Sequence, residues 1–193
     1  MRTQGALLAA AALLGLFAGS PGASPAAPAS LYDFTLERID GRPQSLREYR
    51  GQVLLLVNVA SKCGYTPQYE GLEALYDRLG ERGFAVLGFP ANDFKGQEPG
   101  TNAEIAKFCR ATYGVRFPMF AKISVRGDAV HPLYAFLTSR PAPVGGPVEW
   151  NFQKYHVDRR GEVVARFAPR TPPDDPDLLA RVEALLAEPA PEG

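Results

Sequence analysis

Cysteine and histidine are scarce in this chain, with two of each among 193 residues, and tryptophan occurs once. His131 and His156 have no ligand partner at useful spacing, so no metal centre is expected. The first cysteine stands in Cys63-Gly64-Tyr65-Thr66, with threonine where a dithiol reductase carries its second sulfur. Disulfide exchange through a Cys-x-x-Cys pair is therefore closed to it. An excess of charge is missing as well: Lys plus Arg and Asp plus Glu both number 21, and no local run is strongly basic. That excludes the electrostatic footprint of a nucleic-acid binder. No apolar run approaches the ~20 residues that span a bilayer. Internal repeats are absent.

What is present at the start reads as an export leader. Arg2 precedes an apolar run from Ala6 to Ala18, followed by Gly19-Ser20-Pro21-Gly22-Ala23. A positive start, an apolar core and a small-residue region are what an export signal needs. Cleavage after Ala26 or Ala29 would release a periplasmic or extracellular domain, and an uncleaved run would leave it membrane-anchored. No cysteine follows the run to take a lipid. Residues 1–29 are read as signal peptide and flexible lead-in, 30–188 as one domain, and 189–193 as a disordered tail. With 46% hydrophobic and 22% charged residues, the length suits a single packed core.

Within that domain, Phe34 and Leu36 alternate with polar neighbours, Asp40-Gly41 signals a turn, and Gln44-Ser45-Leu46 can return, predicting an N-terminal β-hairpin. Val53 to Val59 is a continuous apolar run rich in branched residues, as in a strand buried on both faces. Leu72, Leu75, Tyr76 and Leu79 recur at helical spacing before Gly83, and Ala85 to Phe89 reads as a second buried strand. Helical patterns return over 105–113 and 130–138. Lys154–Val157 and Val163–Phe167 form a hairpin around Arg160-Gly161, and Leu178, Val182, Leu185 and Leu186 anchor a last helix. The order implies an α/β domain with helices flanking a central sheet.

Cys63 falls between a buried strand and a helix, with Lys62 and Gly64 beside it and Pro67 near the helix start. Open backbone N–H groups and the positive end of a helix dipole favour a thiolate there. A neighbouring lysine adds to the effect, and Gly64 admits another molecule. A buried structural cysteine, or half of a disulfide, is the alternative. A lone activated thiolate suits attack on the O–O bond of a peroxide, giving a sulfenic acid.

Asn58-Val59-Ala60-Ser61-Lys62-Cys63-Gly64-Tyr65-Thr66-Pro67-Gln68-Tyr69 resembles the peroxidatic-cysteine motif of the glutathione peroxidase family. Gly88-Phe89-Pro90-Ala91-Asn92-Asp93-Phe94 with Gly96-Gln97-Glu98-Pro99-Gly100 resembles the family's second motif, and Trp150-Asn151-Phe152-Gln153-Lys154-Tyr155 its third. The resemblance runs in the family's order from Leu31 to about Leu186. It implies a thioredoxin-like fold with a mixed central sheet and a catalytic tetrad of Cys63, Gln97, Trp150 and Asn151. The amides and the indole are neutral donors that can steady a thiolate and then an alkoxide without a competing charge. Where relatives often carry selenocysteine this chain has Cys63, so no selenium or other cofactor is implied.

The resemblance also sets the partners: a hydrogen peroxide, organic or lipid hydroperoxide, and glutathione or thioredoxin as thiol reductant. Thioredoxin-dependent members carry a resolving cysteine in the helix holding Cys109, but here Arg110 stands at that place and Cys109 one residue earlier. Cys109 is either the resolver or a buried apolar-like thiol. Position 91, a cysteine in many relatives, is Ala91. The segment from Thr138 to Trp150 is short, as in the family's monomeric branch. A peroxide-sensing redox relay, a thiol–disulfide oxidoreductase and a non-catalytic thioredoxin-fold binding module are the rival readings.

Overall fold

The structure, a computed structural model, describes residue 28 and residues 30–191. The expected export leader lies outside the described residues almost in full.

A small hairpin opens the domain, β1 (Thr35–Glu37) against β2 (Pro43–Ser45), turning at Gly41. The main sheet has the order β4 (Phe84–Pro90), β3 (Val53–Val59), β5 (Lys154–Val157), β6 (Val163–Phe167). β3 and β4 are parallel, and β5 and β6 continue the sheet antiparallel. This is the mixed sheet of a thioredoxin-like fold. All seven residues of β3 are buried, as expected of a central strand covered on both faces.

The two faces carry different layers. Leu54 and Leu56 point into a core shared with the hairpin and α3 (Pro132–Thr138). Val53, Leu55, Val57 and Val59 point the other way, toward α1 (Gln68–Leu79), α2 (Asn102–Tyr113) and α4 (Pro176–Ala187). That alternation follows from the two-residue period of a strand.

The helices begin earlier or later than apolar spacing alone indicates, because caps set their ends. Thr101 caps α2 in a reciprocal box with Glu104, and Gly114 ends it in the left-handed conformation. His131 caps α3, so that helix starts at Pro132 rather than near Val130. Along β4, Gly88 bonds Pro118 and Phe120 through its backbone, and a side chain there would strike the Met119 sulfur. The 117–120 segment thus covers the sheet's outer edge, as an unpaired edge requires.

Candidate active site

Three loops at one end of the sheet assemble the site. The first follows β3. Thr66 closes it: its hydroxyl accepts the Cys63 N–H at 3.0 Å and donates to the Ala60 carbonyl at 2.9 Å. The position a second sulfur would occupy is therefore a structural latch. The Tyr65 N–H donates to the Cys63 sulfur at 3.4 Å. Lys62, Gly64 and Tyr65 are exposed around a sulfur-bearing residue that is itself 8% exposed.

The second loop follows β4. Lys95 and Gly96 take consecutive left-handed conformations, at φ 54° and 62°, and turn the chain so that Gln97 comes back toward the first loop. The Lys62 N–H donates to the Gln97 carbonyl at 3.0 Å, stitching the two loops next to Cys63. Asn92 accepts the Glu98 N–H, and the Glu98 carboxylate accepts the Ser61 hydroxyl at 3.1 Å. Burial raises the Glu98 carboxyl above its usual range, against the Ser61 bonds and the nearby lysines.

The third loop leads into β5. The Asn58 side chain donates to the Trp150 carbonyl at 3.0 Å, and the Asn58 carbonyl accepts the Phe152 N–H at 2.6 Å. Phe152 sits at φ 69°, strained for a residue with a side chain. Asn151 is fully buried and donates from Nδ2 to the Gln97 Oε1 at 2.9 Å. Trp150 packs on Phe94, ring centres 5.1 Å apart, with the Lys95 ammonium 5.7 Å from the indole centre. The indole also packs against the apolar layer that contains Cys63. Once Asn151 has donated to it, the Gln97 amide keeps its own N–H groups; neither they nor the Trp150 indole N–H has a partner among the described residues.

A cleft of about 440 Å³ opens here between Tyr65, Glu149, Trp150, Pro169 and Arg170. A second groove, of about 430 Å³, is lined by Lys62, Pro99, Ile105 and Phe108.

Of the residues singled out from sequence, Gln97 and Asn151 are in direct contact, Trp150 adjoins them, and the backbone of Lys62 ties Gln97 to the Cys63 loop. Cys109 stands apart in environment: it is 1% exposed, on the α2 face that also buries Ile105. Burial pushes its thiol up to about 11, the Tyr69 hydroxyl working against that. Both sulfurs are free thiols. Ala91 is core, and His156 is buried in β5 with neither ring nitrogen hydrogen-bonded among the described residues.

Two supporting residues escaped sequence reasoning. Asn58 is the polar interruption in the apolar run Val53–Val59, which was the available signal. Lys154 is fully buried although its type and strand position suggest a surface residue.

A sulfur that accepts a backbone N–H, on a loop tied to one whose amide N–H groups are unpartnered, is an arrangement that suits a thiol peroxidase on a thioredoxin-like scaffold. A family model described as glutathione peroxidase matches residues 31–138. The chain is 48% identical over 164 residues to the hydroperoxy fatty acid reductase gpx1 of Synechocystis sp., covering 81% of this chain and 96% of that one. The crystal structure of T. cruzi GPX1 superposes with a TM-score of 0.66 at 36% identity, over 81% of this chain and 96% of that chain. A thioredoxin-family thiol:disulfide interchange protein from Chlorobium tepidum shares the fold at 17% identity and a TM-score of 0.61, over 85% of this chain and all of that one. The chain belongs to the glutathione peroxidase family. It is an oxidoreductase that reduces hydroperoxides at the expense of thiols.

Proposed function

We propose that Cys63 is the reacting sulfur and that Gln97, Trp150 and Asn151 stabilise the charge it handles. The thiolate attacks the terminal peroxide oxygen; an S–O bond forms, the O–O bond breaks, and the alkoxide leaves with the pair. The proton that the thiol gave up returns through solvent to make the alcohol. Cys63 is then a sulfenic acid. One thiol displaces water from it to give a mixed disulfide, and a second thiol releases Cys63 with an external disulfide as product.

The observation that carries this reading is the Asn151 to Gln97 hydrogen bond. It joins two loops into one block beside the Cys63 loop and leaves uncharged N–H donors to meet developing negative charge.

Regeneration proceeds with an external thiol, glutathione or thioredoxin, attacking Cys63 directly. Cys109 is a packed core thiol: its burial and its raised proton affinity both oppose thiolate chemistry. Helix α2 is capped at both ends, which resists the unwinding that a resolving role would need.

The open cleft between Tyr65 and Trp150, with only a short segment from Thr138 onward, suits bulky as well as small hydroperoxides. A lipid hydroperoxide is the favoured bulky substrate, and the name of the Synechocystis relative points the same way. The protein acts as a monomer after export, released by cleavage of the leader. None of the helices among the described residues is long and apolar enough to cross a membrane.

The test is peroxide-dependent NADPH consumption, run once with glutathione and its reductase and once with thioredoxin and its reductase. Cys63→Ser is expected to lose at least about a thousandfold in both. Retained turnover in that variant would remove Cys63 from the mechanism.

A further inference from the structure

Lys154 is fully buried in β5, and among the described residues no carboxylate pairs with it. Its ammonium donates instead to two backbone carbonyls, Phe152 at 2.7 Å and Pro169 at 3.4 Å. Burial alone lowers its proton affinity to about 7. A desolvated amine held only by peptide dipoles is a poor way to add stability, since an apolar side chain of similar volume costs less to bury. Its partners indicate another use.

Phe152 ends the turn that carries Trp150 and Asn151, and it holds the strained positive φ. Pro169 follows β6 and lines the cleft with Tyr65, Trp150 and Arg170. The Pro169 carbonyl also accepts Gln68 Nε2 at 2.9 Å, and Gln68 opens α1, just beyond the Cys63 loop. Three segments remote in sequence therefore meet at one carbonyl and one ammonium: the start of α1, the Trp150–Asn151 turn and the 168–170 loop.

We infer that Lys154 is a positioning residue for the peroxidase site, holding the Trp150–Asn151 turn at a set distance from the start of α1 through the Phe152 and Pro169 carbonyls. It touches no substrate. This rests on the reading of Cys63, Gln97, Trp150 and Asn151 given above, and deepens it by naming what keeps the donors in register with the sulfur. A donor displaced by about 1 Å forfeits much of its effect on a transition state.

Trp150 is the chain's single tryptophan, so its fluorescence reports the turn directly. The experiment compares wild type with Lys154→Met, which keeps length and apolar volume and removes the donor. The peroxide step is followed by single-turnover oxidation of Cys63, the thiol step separately, and folding by far-UV circular dichroism and thermal melting. In a folded Lys154→Met, Trp150 emission should shift to the red and be quenched more readily by acrylamide. The peroxide rate constant should fall about ten- to a hundredfold while the thiol step changes little.

Wild-type emission together with a wild-type peroxide rate would overturn the inference. So would a slowed peroxide step without any change at Trp150, since placement would then not be the cause. Should Lys154→Met fail to fold, Gln68→Met removes the other tie to Pro169. The same shift and a smaller loss of peroxide rate support the node, and wild-type values in both measurements overturn it. Failure of the Cys63 reading is told apart by wild type itself, which would then form no sulfenic acid with peroxide.

Discussion

The two cysteines lie in one apolar layer, on the same face of the sheet, and stand in opposite backbone settings. Cys63 is on a loop whose backbone N–H groups are not consumed by a helix, and one of them reaches the sulfur. Cys109 is inside a capped helix whose amides are already spent, among apolar neighbours and the Tyr69 phenol. Their exposures, 8% and 1%, are both small. What separates them is that a backbone N–H is directed at the Cys63 sulfur, which irregular backbone at the end of a strand allows, whereas the amides around Cys109 are spent within the helix. Burial alone would not make a cysteine inert, nor exposure make it a catalyst.

The contrast breaks most visibly if the donors around Cys63 prove idle. Gln97→Leu removes both the acceptor of Asn151 and the free amide protons, at nearly constant volume. The rate of Cys63 oxidation by peroxide should then fall about a hundredfold with the thermal midpoint little changed. A rate within a few-fold of wild type would mean the sulfur works without that block.

Selective alkylation sharpens the same point. Iodoacetamide at neutral pH should label Cys63 at least about a hundredfold faster than Cys109, which must await local opening of α2. Peptide mapping by mass spectrometry reads the ratio, and equal labelling would erase the distinction.

The smallest effect is expected at the helix. Cys109→Ala should leave glutathione-driven and thioredoxin-driven turnover within about a factor of two, at a cost of about 1 kcal/mol in stability from the missing sulfur. A selective collapse of the thioredoxin-driven rate would instead make Cys109 the resolving thiol and require α2 to unwind in each cycle.

Much of this was legible beforehand, for identifiable reasons. Val53–Val59 and Ala85–Phe89 read as buried strands because a strand covered on both faces tolerates little but apolar residues. Gly41 and Gly161 marked hairpin turns that do take positive φ. Gln97, Trp150 and Asn151 were visible only through a resemblance between motifs, since an isolated glutamine or tryptophan carries no chemical signature. Thr66 read correctly as the missing second sulfur, but its work as a latch on the Cys63 loop was invisible. Lys154 was wholly misleading by type, because nothing in the alternation of β5 distinguishes a buried amine from a surface one.

Composition and order alone determined the α/β class and the central strands, and singled out Cys63 as the first candidate nucleophile, because those depend on residue type and local period. Only tertiary structure decided that Gln97 and Asn151, more than fifty positions apart, share a hydrogen bond. It alone paired Lys154 with Pro169 and sealed Cys109 into the core. Contacts between loops are set by how the sheet brings its strand ends together, and no local sequence pattern encodes that distance.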